Sequence, residues 1–499
     1  MLPSFPVLLP LATGILLLAV PARAEYRRTI AVGSLVLQLA VSLFLLFSAF
    51  RDGVQATHLG AWESPIGIVL VGDKTSAILV LLALLVTLSS TISGFAEKPA
   101  REESPLRLPL VQFLLTGIQL SFLTGDLFNL FVAFEVMLLS SYGLLSLEAG
   151  PLRIREAYPY VIINLFASAL FLAGCGYAYA LFGTLNLTAI AEAARTLNET
   201  PSGAVRIHIL TALLAFVFSV KAGMFPLYYW LPNSYPVLPA SLGALYSGLL
   251  TKVGIYVLLR LLGTVMPPTQ DTLYLLIAWL GGGTMLFGVL GAVSRMGMRE
   301  ILSFHVLSQV GFMIFAIGIF TPFAFAACIF YMIHHILVKS ALFLCTSGVI
   351  WKFGTDSLKK TGGLWKSNPL LGIGFLLFAL SLAGLPPLSG FWAKLWILLE
   401  GFRTGAFTLV AVSLVASLLT LVSMLKIWNG AFWNPAPDKP RHTGPVPGSI
   451  SAAIALMLLL SIGVVLALGP LWKASQAAAD ELLDPSLYTE AVLQSGENP

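Results

Sequence analysis

The sequence predicts an all-α polytopic membrane protein with about fourteen transmembrane helices. Of its 499 residues, 58% are apolar and only 10% are charged, whereas soluble domains contain about 25% charged residues. Apolar runs of roughly twenty residues, the length that a bilayer core requires, recur along the chain. Because the runs are long and continuous, they indicate helices and not the short alternating strands of a membrane β-barrel. Their centres lie near residues 13, 40, 84, 115, 137, 171, 215, 251, 282, 310, 336, 381, 417 and 459.

The first run, FPVLLPLATGILLLAV, is expected to remain as the first transmembrane helix. It is followed by Ala22-Arg23-Ala24, which resembles a signal-cleavage site. However, no basic residue precedes the run, as the n-region of a secretory signal would require.

The basic residues predict the orientation of the chain. If the N-terminus is outside and fourteen helices alternate, 17 of the 28 lysines and arginines fall in inner loops and 7 on the outer side or at helix ends. Cytoplasmic loops are rich in lysine and arginine. We therefore expect a bacterial cytoplasmic membrane protein with both termini outside, in contact with lipid and not with nucleic acid.

A small set of charged residues lies inside the apolar runs and marks candidate functional positions. A charge at the centre of a membrane helix costs about 2.5 to 3.5 kcal/mol, so such residues must face the bundle interior, water or one another. Long lysines toward the ends of runs can instead reach the membrane interface, which keeps a structural interpretation open for Lys339 and Lys426. The intramembrane charges are Glu135, Lys221, Lys252, Lys339 and Lys394.

Histidines extend this polar pattern. In IFYMIHHILVKSALF, Tyr331, His335 and Lys339 follow at intervals of four and so share one face of a helix. A histidine one turn from a lysine is well placed for proton relay. His305, His334 and Lys426 are further possible relays, although a single buried histidine is as often a hydrogen-bonded core residue.

No metal or cofactor is expected. The histidines have no carboxylate or cysteine nearby to complete a metal site. The sequence shows no nucleotide-binding glycine motif and no set of cysteine ligands. Its three cysteines, Cys175, Cys328 and Cys345, lie in apolar runs and are expected to be core residues.

Two helices are predicted to break beside lysines. Pro226 lacks the N–H that would bond to the carbonyl four residues earlier, which leaves that carbonyl free beside Lys221. Pro386 and Pro387 similarly precede Lys394. Broken helices at membrane depth are tolerated where the freed backbone is buried in protein or lines a wet cavity. Two of them, each with a lysine, indicate a transport path in a repeat-built carrier.

The spacing of the charged positions predicts an inverted repeat. Charged positions in the first part of the chain recur at an almost constant separation in the second part, and this separation corresponds to five helices. Because five is an odd number, the second unit is inverted in the membrane relative to the first. The separations are 173 residues from Lys221 to Lys394, 174 from Lys252 to Lys426 and 170 from Glu135 to His305. We therefore divide the chain into helices 1 to 3 (1–96), a first repeat (107–263), a second repeat (272–430), helix 14 (449–469) and a polar C-terminal tail (470–499).

The chain resembles a known family over nearly its whole length. Four segments carry the resemblance: GDLFNLFVAFEVMLLSSYGL (125–144), VKAGMFPLYYWLPNSYP (220–236), LTKVGIYVLLR (250–260) and LAGLPPLSGFWAKL (382–395). They are similar to the antiporter-like membrane subunits shared by multisubunit Na+/H+ antiporters of the Mrp (Mnh) type and by respiratory complex I. The likeness is greatest to the D-type subunits of Mrp complexes. One complex I sibling has a glutamate in place of Lys394 and another has a long lateral helix, and this chain shows neither feature.

The resemblance implies roles for the buried charges. Glu135 and Lys221 would form an ion pair, Lys252 would pass protons laterally, and Lys394 would stand in a second half-channel. The relay between them would map to His335 and Lys339. The implied activity is proton translocation coupled to exchange of Na+ or K+, by a transporter subunit and not an enzyme. The implied partners are A-, B-, C-, E-, F- and G-type subunits of the same complex.

Two other interpretations remain open from the sequence. The chain could be a proton-pumping membrane subunit of a redox enzyme, such as complex I or a membrane-bound hydrogenase. It could also be a scaffold whose buried charges only fix helix packing.

Overall fold

The computed structural model describes residues 1–19, 23–61, 67–149, 154–268, 271–436 and 439–494. These residues form a helical bundle with one short antiparallel hairpin, β1 (Gln55–His58) and β2 (Val69–Gly72), in which Gln55 pairs with Gly72. Residues 495–499 of the predicted tail lie outside the described part. The predicted polytopic all-α class is confirmed.

The described residues form twenty α-helices. The first ten are α1 (Phe5–Ala19), α2 (Ala24–Arg51), α3 (Lys74–Gly94), α4 (Arg107–Leu123), α5 (Leu127–Ala149), α6 (Ile154–Phe182), α7 (Leu187–Asn198), α8 (Pro201–Ala222), α9 (Trp230–Ser234) and α10 (Ala240–Arg260). The others are α11 (Asp271–Ser294), α12 (Met298–Ile319), α13 (Pro322–Phe353), α14 (Leu364–Ser367), α15 (Pro369–Ala383), α16 (Ser389–Arg403), α17 (Phe407–Ile427), α18 (Gly448–Leu466), α19 (Leu468–Leu483) and α20 (Pro485–Gln494).

Each of the fourteen apolar runs falls in a helix. In the described part of the chain, twelve helices are long and apolar enough to cross a membrane, and two further apolar helices, α4 and α15, are shorter. The twelve are α1, α2, α3, α5, α6, α8, α10, α11, α12, α13, α17 and α18.

Both predicted helix breaks are present, but each begins at a glycine and not at a proline. Helix α8 ends where Gly223 adopts a left-handed conformation with φ of 77°, three residues before Pro226. Helix α15 ends in the same way at Gly384, with φ of 92°. Glycine adopts this conformation without steric cost, and its N–H satisfies carbonyls of the last turn. The expectation that Pro226 ends its helix is therefore corrected.

Helices α10 and α13 form the centre of the bundle. Every residue of α10 is buried, and α13 contacts α3, α10, α12, α15, α16, α18 and α19. Glycines allow close approach at these contacts. A Cβ on Gly254 of α10 would lie 2.7 Å from the backbone nitrogen of Ala222 on α8, and a Cβ on Gly248 would collide with Ser340 of α13. Small residues at such contacts are typical of membrane helix packing.

In the described part of the predicted polar tail, helices α19 and α20 fold onto the bundle. Helix α20 packs beside the hairpin, where Tyr488 and Val492 share a small core with Val69 and Val71, and α19 packs against α3 and α13. The Thr264 hydroxyl donates to the Leu482 carbonyl at 2.7 Å. With α7, these elements form one end of the bundle, which we call the hairpin end.

The glycine contact predicts opposite effects of the same substitution at two positions. Gly254→Ala should lower the melting temperature of the purified protein, because overpacking costs about 1 to 3 kcal/mol. Gly176→Ala in α6 should leave it unchanged or raise it, since a Cβ there meets no atom within 4 Å and alanine favours a helix by about 1 kcal/mol. Fluorescence-detected thermal melting in detergent measures both. Equal shifts in the two variants would contradict the close contact.

Candidate functional site

Lys221, in the last turn of α8, is held by neutral oxygens of α6. Its ammonium donates to the Ser168 hydroxyl at 2.8 Å and to the Asn164 carbonyl at 3.2 Å. It also lies 5.4 Å from the ring centroid of Phe134 on α5. The buried charge is thus satisfied without a carboxylate in direct contact.

Glu135, the next residue along α5, is half-buried. Its Oε1 is buried and has no hydrogen-bond partner among the described residues. No ion pair within 4.0 Å joins it to Lys221 in the described part of the chain. The direct ion pair implied by the family resemblance is therefore not formed in this structure, where Phe134 is the α5 residue over the ammonium.

A small cavity lies beside Lys221. It is bordered by α5, α6, α9 and α10, and about 10 Å³ of it can hold the centre of a water molecule, which is room for about one water. Its lining is Phe134, Met137, Leu138, Tyr160, Asn164, Lys221, Trp230 and Leu250.

Lys252 and Lys339 lie on the two central helices, and both are fully buried. The Lys252 ammonium donates to the Ser247 carbonyl at 2.5 Å and to the Thr251 hydroxyl at 3.1 Å, both within α10. The contact between Gly248 and Ser340 brings these stretches of α10 and α13 together.

The stripe Tyr331–His335–Lys339 is confirmed as a fully buried face of α13, with the rings of Tyr331 and His335 6.4 Å apart. Several polar atoms around it have no hydrogen-bond partner within the described residues: both ring nitrogens of His335, Lys339 Nζ, His334 Nε2, His305 Nδ1 and Gln309 Nε2. Buried polar groups left unpaired cost about 1 to 3 kcal/mol each. Atoms in this condition are available to bind water and to exchange protons.

The other two candidate relay histidines, His334 and His305, connect helices. His334 Nδ1 lies 2.9 Å from the hydroxyl of Ser389, the first residue of α16. His305 Nε2 on α12 lies 2.6 Å from the Ser423 hydroxyl on α17. His334 therefore links α13 to the second broken helix, whereas His305 lies off this line, toward α17.

Lys394 uses the carbonyl that the second break exposes. Its ammonium donates at 3.0 Å to the carbonyl of Ala383, the last residue of α15, and lies 4.9 Å from the ring centroid of Phe312. The predicted juxtaposition of a lysine and a freed carbonyl therefore occurs at the break near Pro386 and Pro387. At the first break Lys221 turns instead to α6.

Lys426 has a position that suits helix capping. It is partly exposed, and its ammonium donates to the carbonyls of Val293 at 2.7 Å and Arg295 at 2.5 Å, at the C-terminal end of α11. Cations are favoured at that end of a helix. This geometry favours the structural interpretation of Lys426 over a relay role.

Two ion-paired carboxylates, the half-buried Glu97 and the buried Asp73, were missed because the sequence places them at the ends of apolar runs, among loop charges. Glu97 accepts hydrogen bonds from Arg107 at 2.9 Å and from the backbone N–H of Ser241 at 2.8 Å, at the start of α10. Asp73 forms a buried ion pair with Arg260. An acidic residue directly beside a run is the signal that could have identified both.

These features define a polytopic membrane protein with lysines buried on α8, α10, α13 and α16 and with helix breaks after α8 and α15. A family model described as NADH:quinone oxidoreductase/Mrp antiporter, TM, matches residues 124–420. The chain belongs to this family.

The individual relatives share nearly the full length of the chain. It is 40% identical over 489 residues to the D-type Na+/H+ antiporter subunit of Alkalihalophilus pseudofirmus and 37% identical over 491 residues to the protein of the same name from Bacillus subtilis. Both alignments cover 98% of each chain. A chain in the structure of the Mrp complex from Dietzia sp. DQ12-45-1b is 30% identical, with a TM-score of 0.90 and 99% of both chains covered.

Proposed function

We propose that this chain is the proton-translocating, antiporter-like subunit of a multisubunit cation/proton antiporter that exchanges Na+ or K+. The observation that carries the proposal is the set of buried ionisable groups, Lys252, His335 and Lys339, on the two central helices. Ionisable residues at membrane depth usually mark ion or proton pathways. The two bacterial relatives, both named as D-type Na+/H+ antiporter subunits, support the antiport interpretation.

The first step of the proposed path is a switch at Lys221. Desolvation favours the neutral form of a lysine, and a nearby carboxylate favours the charged form. Glu135 lies on α5 next to Phe134, which contacts the ammonium, and one of its oxygens is unpaired among the described residues. Approach of Glu135 would hold a proton on Lys221, and withdrawal would release it.

The later steps follow the close helix contacts. From Lys221 the path crosses to α10, which touches α8 at Gly254, and reaches Lys252. It then crosses the Gly248 contact to Lys339 and His335 on α13. From there His334, through Ser389, leads to the broken helix that carries Lys394.

We also infer fourteen spans, with α4 and α15 included, and two inverted repeats of five spans. Supporting this, the isolated backbone bridges Asp126–Asn186 and Gly297–Ser357 are displaced by 171 residues at both partners. Helices α10 and α17 each have 21 residues and each continue into a π-helical turn.

The two lysines beside the breaks do not occupy matching positions. Lys221 precedes Gly223 by two residues, whereas Lys394 follows Gly384 by ten. The breaks are displaced by 161 residues and the lysines by 173. The two halves therefore present their lysines from opposite sides of the break.

The alternative is a proton-pumping subunit of a redox enzyme, and the matching family covers quinone oxidoreductases as well as Mrp antiporters. The proteins that copurify with the chain would distinguish the two. Small antiporter subunits support the proposal, whereas a quinone-reducing module would support the alternative.

Substitution of the switch residues should abolish exchange. In the proposed state in which Glu135 approaches Lys221, loss of one partner of the buried charge pair would cost about 3 to 5 kcal/mol, and a lysine left alone can lose its proton instead. Glu135→Ala and Lys221→Ala should therefore each abolish antiport, and Lys221→Arg should also be poor because arginine does not release its proton. Sodium-dependent dequenching of a pH dye in inverted vesicles measures exchange.

The matched control for these variants is Lys426→Gln, because Lys426 caps α11 outside the proposed path. The complex that contains the Lys426→Gln variant should retain most of the wild-type exchange activity. Near-normal antiport by Glu135→Ala in fully assembled complex would refute the switch and favour the scaffold interpretation.

The chain is also expected to need its partner subunits. Expressed alone, it should not restore growth of an antiporter-deficient strain at high sodium concentration, whereas the complete gene set should. Exchange by the purified single chain in liposomes would contradict this requirement.

We further propose a bacterial cytoplasmic membrane location with the hairpin end outside. Glu199→Cys, at the exposed end of α7, should react with a membrane-impermeant maleimide in intact cells. Lys359→Cys, in the exposed loop after α13, should react only after permeabilisation. The native cysteines are buried and provide a low background. The opposite labelling pattern would reverse the orientation.

A further inference from the structure

A second buried polar stripe runs from Lys252 toward the hairpin end. Tyr256, Arg260 and Thr264 follow Lys252 at intervals of four and so lie on the same side of α10 and its terminal turn. All of these side chains are buried. A continuous polar stripe from the middle of the bundle to one end would be a route by which protons could escape from Lys252.

The hydrogen bonds along the stripe are oriented so that they cannot relay a proton. The Tyr256 hydroxyl donates to the Phe122 carbonyl at 2.7 Å and accepts a hydrogen bond from Nη2 of Arg260 at 3.0 Å. A backbone carbonyl has no proton to pass on, and a guanidinium does not give up its proton in proteins. Tyr256 is thus fixed between two groups that block transfer.

Arg260 is held in place by three parts of the structure. It forms the buried ion pair with Asp73, whose other oxygen accepts from the Ser76 backbone N–H at 2.8 Å at the start of α3. Its Nη1 donates to the Thr264 hydroxyl at 3.4 Å. Its guanidinium carbon lies 5.0 Å from the ring centroid of Tyr488 on α20. The positive charge is therefore immobile and covered by the C-terminal helices.

We propose that Tyr256, Arg260 and Asp73 form a proton seal that closes the hairpin end of the first half of the bundle. A fixed arginine in a narrow polar passage is an electrostatic barrier to protons and cations. The seal leaves lateral transfer to α13 as the exit from Lys252. This inference rests on the proposed proton-translocating function and adds a group that sets the direction of transfer.

A simple mechanical role is the competing explanation, because the same ion pair also anchors elements at the hairpin end. The neighbouring ion pair between Lys74 and Glu481 provides a matched control. It joins α3 to α19 in the same region, but neither residue lies on α10. A variant of this pair loosens the attachment of α19 but leaves the side chains of Tyr256, Arg260 and Asp73 unaltered.

The test measures passive proton leak through the complete complex in inverted vesicles. A pH gradient is imposed without Na+, and its decay is followed with a pH-sensitive dye. Arg260→Lys keeps the charge and the ion pair but introduces a group that can release its proton, so its gradient should decay several-fold faster than wild type. Asp73→Asn/Arg260→Gln, which removes both charges together, should leak as well. Lys74→Gln/Glu481→Gln should match the wild type.

Complex abundance in the same membranes shows whether each variant is assembled, and Arg260→Lys is the variant expected to fold most like the wild type. Wild-type decay rates for Arg260→Lys in assembled complex would overturn the seal. Equal leaks from the Lys74/Glu481 control and the Arg260 variants would also overturn it and assign the cluster a mechanical role. Sodium-driven exchange by the wild-type vesicles tests the proposed function separately, because the leak comparison does not require Na+.

Discussion

The structure depends on one constraint: an ammonium group buried in the apolar bundle is stabilised by oxygen acceptors inside the protein, and Lys339, whose Nζ has no hydrogen-bond partner among the described residues, is an exception. Desolvating a charge without such partners is too costly at bilayer depth. Lys394 meets this constraint with the carbonyl of Ala383 at a helix break, and Lys426 with carbonyls at the end of α11. Lys221 uses Ser168 and a backbone carbonyl of α6. The interrupted helix therefore supplies an acceptor to Lys394, whereas Lys221 and Lys252 use carbonyls of the continuous helices α6 and α10.

Close helix packing brings these separately solvated groups together. Glycines at the contacts of α10 with α8 and α13 remove the side chains that would hold the backbones apart. Lys252 and Lys339 thereby come to lie on either side of one tight interface, in helices buried almost throughout. The backbone geometry of the contacts is as important to the site as the charged residues themselves.

The two halves of the bundle solve the same problem differently. In the second half, the lysine follows the break and bonds to the carbonyl that the break exposes. In the first half, the lysine precedes the break and is satisfied by the neighbouring helix, with Phe134 over the ammonium. The first half also has Arg260 at its hairpin end, in the last position of α10. If the proposed inverted repeat is correct, its two lysines would differ in their freedom to exchange protons.

The sequence by itself determined the membrane class, the helices of the apolar runs, the two breaks and the buried stripe from Tyr331 to Lys339. These features follow from hydrophobic length and from helical spacing, which are local properties of the chain. Only the tertiary structure decided that Lys221 bonds to α6, that Lys426 caps α11 and that the C-terminal segment closes the hairpin end. Asp73 and Arg260 are 187 residues apart, and Lys74 and Glu481 are 407 apart. Such pairs depend on how whole helices pack, and no local pattern encodes that geometry.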